Sequence, residues 1–227
     1  LGKRGKNMAN FDLKKYPNVT VLDHPLLQHK ITLLRDVHTG TNEFRTLVKE
    51  IAIMEGYEAL RHLPTEMVEI QTPIEKAMCP IVSGKKLCFV PILRAGLGMV
   101  DGLLELVPSA KVGHIGLYRD EETHEPHEYY FKMPYDVDQR EIYIVDPMFA
   151  TGGSAIDAVK LLEKHGVKKE NMHFIAIIAA PEGVEAFCKE NPNLPVTIGC
   201  LDRCLNDKAY ICPGLGDAGD RIFGTIK

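Results

Sequence analysis

Residues 142–154 read Ile-Tyr-Ile-Val-Asp-Pro-Met-Phe-Ala-Thr-Gly-Gly-Ser, which is an apolar run, one carboxylate, and a turn rich in glycine and hydroxyl groups. Ile142 to Val145 have the length and the β-branched character of a buried parallel strand. Ser154 to Lys164 repeat apolar residues at helical spacing. The turn is therefore predicted to join a strand to a helix, as in the repeating unit of α/β folds.

This turn has the features of a phosphate-binding site. The free N–H groups and the dipole at a helix N-terminus favour an anion. Gly152 and Gly153 let the backbone approach a ligand closely, and Thr151 and Ser154 add hydroxyl donors. Asp146 follows the strand at the carboxyl edge, where open α/β sheets bind ligands, and it could hold ribose hydroxyls or a metal-bound water. The structural alternative is a strand-ending Asp that caps a helix.

A second predicted strand ends in an arginine. Arg94 follows the apolar run Leu87–Leu93 and precedes Ala-Gly-Leu-Gly. A guanidinium beside a tight turn suits a bidentate contact with pyrophosphate, although an exposed arginine after a strand is the structural alternative. The glycines at 96, 98 and 102 also fit a loose dinucleotide-binding fingerprint, which would indicate a nicotinamide-dependent reductase.

The C-terminal segment Gly214-Leu-Gly-Asp-Ala-Gly219 matches Gly-x-Gly-x-x-Gly, but Pro213 precedes it and eight residues follow it. That is too short for a βαβ unit, so a Rossmann interpretation fails here. A loop this rich in glycine leaves main-chain N–H and C=O groups free to pair with a planar base. A turn held by an ion pair between Asp220 and Arg221 is the structural alternative. We predict no helix in the last twenty residues.

Four segments together resemble the type I phosphoribosyltransferases, and specifically their uracil phosphoribosyltransferase family. In chain order they are Pro91–Gly98, Gly116–Thr123, Asp146–Ser154 and Tyr210–Thr225. Most of the superfamily carries two adjacent acidic residues where this chain has Asp146 and Pro147. The uracil family shares the proline.

The resemblance implies an α/β fold, with a twisted parallel sheet flanked by helices, a projecting β-arm and a small C-terminal hood that binds the base. It implies transfer of ribose 5-phosphate from phosphoribosyl pyrophosphate (PRPP) to N1 of uracil, which gives uridine monophosphate (UMP) and pyrophosphate. Mg²⁺ is expected as cofactor, held through PRPP, with no protein ligand assigned. Family members form dimers or larger assemblies, so a homo-oligomer (dimer or tetramer) is expected, and some members respond to GTP.

Site residues carry over position by position from the family. The PRPP contacts implied are Arg94, Arg119, Asp146, Pro147, Met148, Phe149, Ala150, Thr151, Gly152, Gly153, Ser154 and Asp217. The uracil contacts implied are Ile211, Gly216, Asp217 and Ala218, and the catalytic residues implied are Asp146, Asp217 and Arg94. Most of the superfamily carries a second carboxylate at the position of Pro147, and Asp217 is a candidate to supply that carboxylate in this chain. No residue stands out as the base for uracil N1–H.

Composition is typical of an α/β domain that needs no crosslinks. A chain of 227 residues, 45% of them hydrophobic, buries about 70–75% of its unfolded surface on folding. We predict a single domain over residues 8–227 and interpret residues 1–7 as a remnant of cloning. No apolar run reaches the ~20 residues that span a bilayer, and no signal peptide is visible. A cytoplasmic protein without membrane contact is expected.

Charge and metal-ligand spacing disfavour other classes of function. A net charge of −4 argues against a general nucleic-acid binder. A regulatory protein that keeps the PRPP fold and binds RNA is the alternative function, although the sequence lacks an evident basic stripe. The six cysteines lack paired spacing and are interpreted as reduced thiols. Cys200, Cys204 and Cys212 do not match a structural zinc site. His124 and His127 lie in an acidic stretch that reads as a solvated loop.

Hydrophobic periodicity predicts the remaining elements. The predicted helices are Pro25–Arg35, Asn42–Leu63, Leu97–Leu106, Ser154–Lys164 and Glu182–Lys189. The predicted strands are Met67–Gln71 as an edge strand, Lys86–Leu93, Val112–Tyr118, Ile142–Val145, His173–Ala180 and Val196–Leu201. Glu128–Lys132 is predicted to belong to an arm, and Asn10–Val21 shows little regular pattern.

Overall fold

The computed structural model describes residues 11–119 and 126–225, with only the backbone described at residues 118, 119, 126 and 127. The helices are α1 (Pro25–Arg35), α2 (Thr41–Ala59), α3 (Leu97–Leu106), α4 (Gly153–Lys164), α5 (Pro181–Glu190) and α6 (Ala218–Phe223). The strands are β1 (Val19–Val21), β2 (Thr65–Gln71), β3 (Lys76–Val82), β4 (Leu87–Leu93), β5 (Lys111–Val112), β6 (His114–Arg119), β7 (Pro126–Lys132), β8 (Glu141–Val145), β9 (Met148–Phe149), β10 (Met172–Ala179), β11 (Val196–Leu201), β12 (Cys204–Leu205) and β13 (Ile211–Cys212).

In the described ranges, the central sheet has nine strands, with the order β1-β11-β10-β8-β4-β6-β7, while β5 pairs with β4 and β9 with β10. All of its pairs are parallel except β6 with β7, which form an antiparallel hairpin at one end. Parallel neighbours that are joined through helices place the carboxyl ends of the central strands at one edge of the sheet.

Helices cover both faces of the sheet. Along β8, Ile142 and Ile144 belong to one core cluster, which includes residues of α4 and α5. Tyr143 and Val145 belong to the other cluster, which includes residues of α1, α2 and α3. Successive side chains of a strand point to opposite faces, so a strand buried on both sides reads as a continuous apolar run.

Most predicted elements are confirmed with small shifts in their ends. Helix α2 ends at Ala59, before the predicted Leu63, and α4 begins one residue early at Gly153. The predicted strand Val112–Tyr118 is divided between β5 and β6. Strand β1, which the sequence did not indicate, pairs with β11 at the other end of the sheet.

Among the described residues, two further antiparallel sheets of two strands each, β2–β3 and β12–β13, lie outside the central sheet. Strands β2 and β3 form a separate two-stranded sheet, so Met67–Gln71 does not form an edge of the central sheet. Strand β3 was not predicted, because Pro80 interrupts its apolar pattern and proline usually argues against a strand. The predicted arm segment Glu128–Lys132 lies in β7, and His124 lies outside the described residues.

The prediction of no helix in the last twenty residues was wrong, because α6 spans Ala218–Phe223. This helix has six residues, too few to show a hydrophobic period. Its N-terminus is capped by Asp217, whose side chain accepts a hydrogen bond from the Asp220 N–H (2.8 Å). None of the helices in the described part of the chain is both long and apolar enough to cross a membrane.

Candidate active site

The candidate site lies where β4 and β8 end. These strands are parallel neighbours, with Pro91 opposite Val145, so Arg94 and Asp146 emerge at the same edge of the sheet. A cavity of about 470 Å³ opens there. Its lining residues are Arg94, Ala95, Asp146, Met148, Ala150, Lys208, Ala209, Tyr210, Ile211, Gly216, Asp217, Ala218 and Gly219. Two strand ends and the C-terminal segment therefore surround one space.

The turn before α4 lines a smaller pocket of about 70 Å³ that shares Asp146, Met148 and Ala150 with the cavity. Gly152 is the N-cap of α4, and its φ of 81° is in the left-handed region. A Cβ atom on Gly152 would lie 2.7 Å from the carbonyl oxygen of Gly183, so this close approach requires glycine.

The N-terminus of α4 is suited to an anion. No side chain caps the helix, and its first turn carries no acidic residue. The first intrahelical bond after the cap runs from the Ile156 N–H to the Gly152 carbonyl, so the preceding amides have no helical acceptor. Among the described residues, the Thr151 hydroxyl oxygen accepts one long bond, from the Gly153 N–H (3.4 Å). These amides and the helix dipole face the small pocket.

Asp146 is the most perturbed carboxylate of the site. Burial, together with the negative charge of Asp217, raises the pKa of Asp146 from 3.8 to about 7. The Met148 N–H donates to Asp146 Oδ1 (3.1 Å), which partly offsets this rise. The local environment therefore favours either a proton on Asp146 or a cation beside it.

Arg94 is held at the cavity mouth by contacts with α6. Its guanidinium lies 3.7 Å from Asp220 Oδ1 and 5.6 Å from the centre of the Phe223 ring. The side chain remains 57% exposed, so these contacts leave it free to meet a ligand. An exposed ion pair at this distance contributes little to stability, which fits a ligand-binding role.

The hood consists of the hairpin β12–β13, the loop Pro213–Asp217 and α6. Gly214 and Gly216 have φ values of 62° and 84°, which glycine adopts without the strain of a side chain. Ile211, Gly216 and Ala218 all line the cavity. The loop therefore presents its backbone to the space above Asp146.

A buried ion pair anchors the hood to α1. Asp202 is 8% exposed, and Arg35 Nη1 donates to Asp202 Oδ2 at 2.7 Å. The Gly214 N–H donates to the same Oδ2 atom (2.9 Å), while the Gly214 carbonyl accepts from Arg35 Nη1 (2.7 Å). Both backbone groups of Gly214 are thus fixed by this charged pair.

Arg221 provides a second anchor. Its guanidinium donates to the Leu215 carbonyl (2.9 Å) and the Asp36 carbonyl (2.5 Å), and it lies 4.4 Å from the centre of the Phe44 ring. Arg221 therefore joins the hood loop to the segment that connects α1 and α2, in place of the ion pair with Asp220 considered above. Asp220 faces Arg94 instead.

The structure brings most of the predicted site residues together. Residues at the large cavity are Arg94, Asp146, Met148, Ala150, Ile211, Gly216, Asp217 and Ala218, and those at the small pocket include Phe149, Thr151, Gly152, Gly153 and Ser154. Pro147 is buried and lines neither space, although its carbonyl accepts from the Ile178 N–H (3.1 Å). The side chain of Arg119 lies outside the described atoms.

Sequence reasoning missed the loop between β12 and β13 as part of the cavity. Lys208, Ala209 and Tyr210 line the cavity, and Tyr210 is 47% exposed. Asn206 closes this loop, because its Oδ1 atom accepts from the N–H groups of both Lys208 and Tyr210 (2.9 Å each). Ala209 has a φ of 61°, which is rare for a residue with a side chain. Asn206 was the sequence feature that indicated a turn at this position, because asparagine side chains stabilise such turns.

The glycines after β4 serve packing between elements. A Cβ atom on Gly102 would lie 2.3 Å from the Lys49 carbonyl of α2, and one on Gly98 would lie 3.0 Å from Ile222 of α6. A Cβ atom on Gly96 would lie 2.5 Å from the Val145 carbonyl oxygen at the end of β8. These glycines let α3 pack closely against its neighbours, so packing explains their presence without a dinucleotide ligand.

Comparison with known proteins identifies the relatives of this chain. A family model described as uracil phosphoribosyltransferase matches residues 21–225. The chain is 61% identical over 207 residues to a uracil phosphoribosyltransferase of Agathobacter rectalis, covering 91% of this chain and 98% of that protein. It is 58% identical, with the same coverage of both chains, to a uracil phosphoribosyltransferase of Bacillus pumilus.

Solved structures agree on the fold. The AQ2163 protein from Aquifex aeolicus is 40% identical and superposes with a TM-score of 0.83, covering 90% of this chain and 97% of that one. An adenine phosphoribosyltransferase from Trypanosoma brucei, in complex with AMP, pyrophosphate and ribose-5-phosphate, is 14% identical with a TM-score of 0.55, covering 88% and 89%. This second likeness concerns the fold alone.

Proposed function

The chain belongs to the uracil phosphoribosyltransferase family, and from that membership we propose that it transfers ribose 5-phosphate from PRPP to N1 of uracil, which gives UMP and pyrophosphate. One observation carries this proposal at the level of the site. The uncapped N-terminus of α4, the carboxylate of Asp146 and the hood backbone converge on two adjoining spaces that share three residues. A sugar with phosphate groups at both ends, together with a planar base, needs such an arrangement.

In our proposal the 5-phosphate of PRPP occupies the small pocket. The amides at the start of α4 donate to the phosphate oxygens, and the hydroxyl groups of Thr151 and Ser154 add further donors. Asp146, which lies between this pocket and the larger cavity, accepts hydrogen bonds from the ribose hydroxyls. This arrangement places C1 of the ribose in the larger cavity.

The pyrophosphate group lies near Arg94, whose planar guanidinium can form bidentate contacts with it. Uracil lies under the hood, where backbone groups of Ile211, Gly216 and Ala218 read its O4, N3–H and O2 atoms. Attack by N1 on C1 forms the new C–N bond, breaks the bond to pyrophosphate and releases the N1 proton. Positive charge develops on the sugar as the bond to pyrophosphate breaks. Catalysis rests on positioning and on stabilising the leaving group.

The residues of the site also fit a magnesium ion held with PRPP. Asp146 and Asp217 are close enough for the charge of one to raise the pKa of the other, and carboxylate oxygens are ligands that Mg²⁺ prefers. When bound, Mg²⁺ neutralises part of the pyrophosphate charge. Asp217 accepts the Asp220 N–H through Oδ1, which fixes its orientation at the cavity wall.

The direct test is incubation with PRPP and Mg²⁺ and each of uracil, cytosine, hypoxanthine and orotate, followed by identification of the nucleotide formed. We expect UMP from uracil alone, because a hood fitted to one base leaves polar groups unpaired with another. A different nucleotide would contradict the assigned base. The absence of any nucleotide, with salt-dependent RNA binding in a gel-shift titration, would favour the regulatory alternative.

We also propose a homo-oligomer, either a dimer or a tetramer. The hairpin β2–β3 carries exposed apolar side chains on two strands that pair with no other strand in the described part of the chain, and exposed patches of this kind mark interaction surfaces. On the strands these side chains are Met67, Ile70, Met78, Ile81 and Val82, and Ile74 is exposed in the turn between them. Light scattering coupled to gel filtration tests this, since a monomeric mass would contradict it.

Six free cysteines support the proposal that the reaction takes place in the cytoplasm, where thiols stay reduced. Localisation of a fluorescent fusion tests this proposal, and a secreted or membrane-bound signal would contradict it. Activation by GTP, expected of some family members, is tested by adding GTP to the same UMP assay.

A further inference from the structure

A cluster of two histidines and a glutamate lies at the opposite edge of the sheet from the candidate active site. Glu141 is the first residue of β8, His173 is the second residue of β10, and His62 follows α2. Asp146 follows the same strand at its other end, five residues along, which is about 16 Å at the usual rise of a strand. The proposed transfer reaction does not use this cluster.

The three side chains converge on one point. His62 Nε2 lies 3.0 Å from Glu141 Oε1, and His173 Nε2 lies 2.9 Å from the same oxygen atom. One potential ligand atom from each residue lies within 4.8 Å of the others. The two imidazole rings stack with their centres 4.5 Å apart, so both Nε2 atoms face the carboxylate from the same side of the sheet.

Strand pairing explains why these residues meet. His173 pairs with Tyr143 in the parallel register of β10 and β8, and Glu141 lies two residues before Tyr143 on the same face of β8. The His173 ring stacks on the Tyr143 ring with a centroid distance of 4.6 Å, and the Tyr143 hydroxyl lies 3.3 Å from His62 Nε2. Two of the three residues therefore belong to rigid, adjacent strands.

From this geometry we infer that His62, Glu141 and His173 form a binding site for a divalent transition-metal ion, with zinc as the best-matched ion. Two imidazole nitrogens and one carboxylate oxygen are a donor set that zinc accepts, with water in the fourth position. In a tetrahedral site with bonds of about 2.0–2.2 Å, neighbouring ligand atoms lie roughly 3.3–3.5 Å apart. An outward movement of a few tenths of an ångström from the observed 2.9 and 3.0 Å reaches that spacing.

Burial and access also suit an exchangeable ion. Side-chain exposure decreases from 47% for His62 to 15% for Glu141 and 9% for His173. Two ligands are thus held inside the fold, while the third faces solvent, where an ion and its water can enter. The carboxylate neutralises one of the two charges of the ion. Because the site lies far from Asp146, the ion should stabilise the fold without taking part in the transfer reaction.

The competing explanation is a cluster held by hydrogen bonds alone, since each neutral imidazole can donate one N–H to the carboxylate. Metal binding to the protein, measured after a chelator has removed bound metal, distinguishes a metal site from a cluster held by hydrogen bonds. Equilibrium dialysis against Zn²⁺ measures the bound ions per chain, the visible bands of Co²⁺ report tetrahedral coordination, and the melting temperature reports stabilisation. His62→Ala removes the exposed ligand, Glu141→Gln keeps the shape of the carboxylate, and His38→Ala removes an exposed histidine elsewhere as the matched control.

We expect wild type and His38→Ala to bind one more Zn²⁺ per chain than His62→Ala, and to show Co²⁺ bands that both cluster variants lack. Zinc should raise the melting temperature of wild type and His38→Ala, and the apparent affinity should be at least tenfold weaker in Glu141→Gln. All variants should keep their yield of UMP. Equal zinc stoichiometry and affinity in wild type and His62→Ala would overturn the site and leave hydrogen bonding as the explanation, as would failure of wild type to bind zinc at this position.

Discussion

Replacement of Asp146 by asparagine should make the folded protein more stable while reducing its turnover. The pKa of Asp146 is about 7 in the folded protein against an ordinary 3.8, so the folded state holds the proton more tightly than the unfolded state does. The contribution of this group to stability is complete below the ordinary value and is lost as the pH rises through 7. Asparagine cannot ionise and keeps an oxygen to accept the Met148 N–H.

The size of the effect follows from the two pKa values. Between about pH 5 and about pH 8 the carboxyl group is already ionised in the unfolded chain. In the folded chain it keeps its proton over most of that interval, so the wild type loses at most ~3 kcal/mol of stability across the interval. Water in the cavity screens part of this penalty, because Asp146 is only partly buried by its own fold. We therefore expect the advantage of Asp146→Asn over wild type to grow by about 1–2 kcal/mol between those two pH values.

Chemical denaturation of both proteins at the two pH values measures this difference. Asp138→Asn, which makes the same substitution at an exposed aspartate outside the cavity, is the control. In the UMP assay, Asp146→Asn should lose at least about tenfold in kcat/KM, or ~1.4 kcal/mol of transition-state stabilisation. A stability difference that stays constant from acid to mild base would refute the electrostatic reasoning, and unchanged kinetics would refute the role in ribose binding.

Three further substitutions test other parts of the structure. Glu55 is fully buried, and its carboxylate forms no hydrogen bond of good geometry among the described residues, although the Gly199 backbone lies close enough to offset part of the cost of burial. Burial raises its pKa well above the ordinary value, so Glu55→Gln should gain about 1–3 kcal/mol in denaturation at mildly basic pH, and this gain should shrink in acid. Asp202→Asn weakens the anchor to Arg35 and Gly214, and should raise the KM for uracil about tenfold with a smaller change for PRPP; an equal rise in both would count against the hood as the base site. Ala209→Gly relieves the left-handed backbone and should stabilise the protein by about 0.5 kcal/mol in the same denaturation experiment, and a loss of stability would contradict the strain assigned to that residue.

The sequence was sufficient for the parts of the fold that are decided locally. Strand β8 and helix α4 were predicted because a continuous apolar run, a glycine turn and a helical repeat follow one another without interruption. The position of Asp146 and Arg94 at one edge of the sheet also followed, since the carboxyl ends of parallel strands lie together. Substrate identity, in contrast, depended on likeness to a family.

Contacts between distant segments could not be predicted. Nothing near Arg35 in the sequence indicates that it pairs with Asp202, 167 residues later, or that this pair holds the loop at Gly214. Helix α6 was missed because its six residues are stabilised by a side-chain cap and by packing against α2, neither of which produces a periodic pattern. The meeting of His62 with Glu141 and His173 depends on the register of two strands, which a sequence does not reveal.

The carboxyl group that ends β8 should also couple ligand binding to the surrounding solution. With its pKa raised to about 7, mainly by burial, this group changes charge near neutral pH. A donor molecule that arrives with a divalent ion favours the charged carboxylate, so binding should release a fraction of a proton per chain near pH 7. The heat of binding measured by calorimetry would then depend on the ionisation enthalpy of the buffer, and the affinity for the donor would rise with alkalinity.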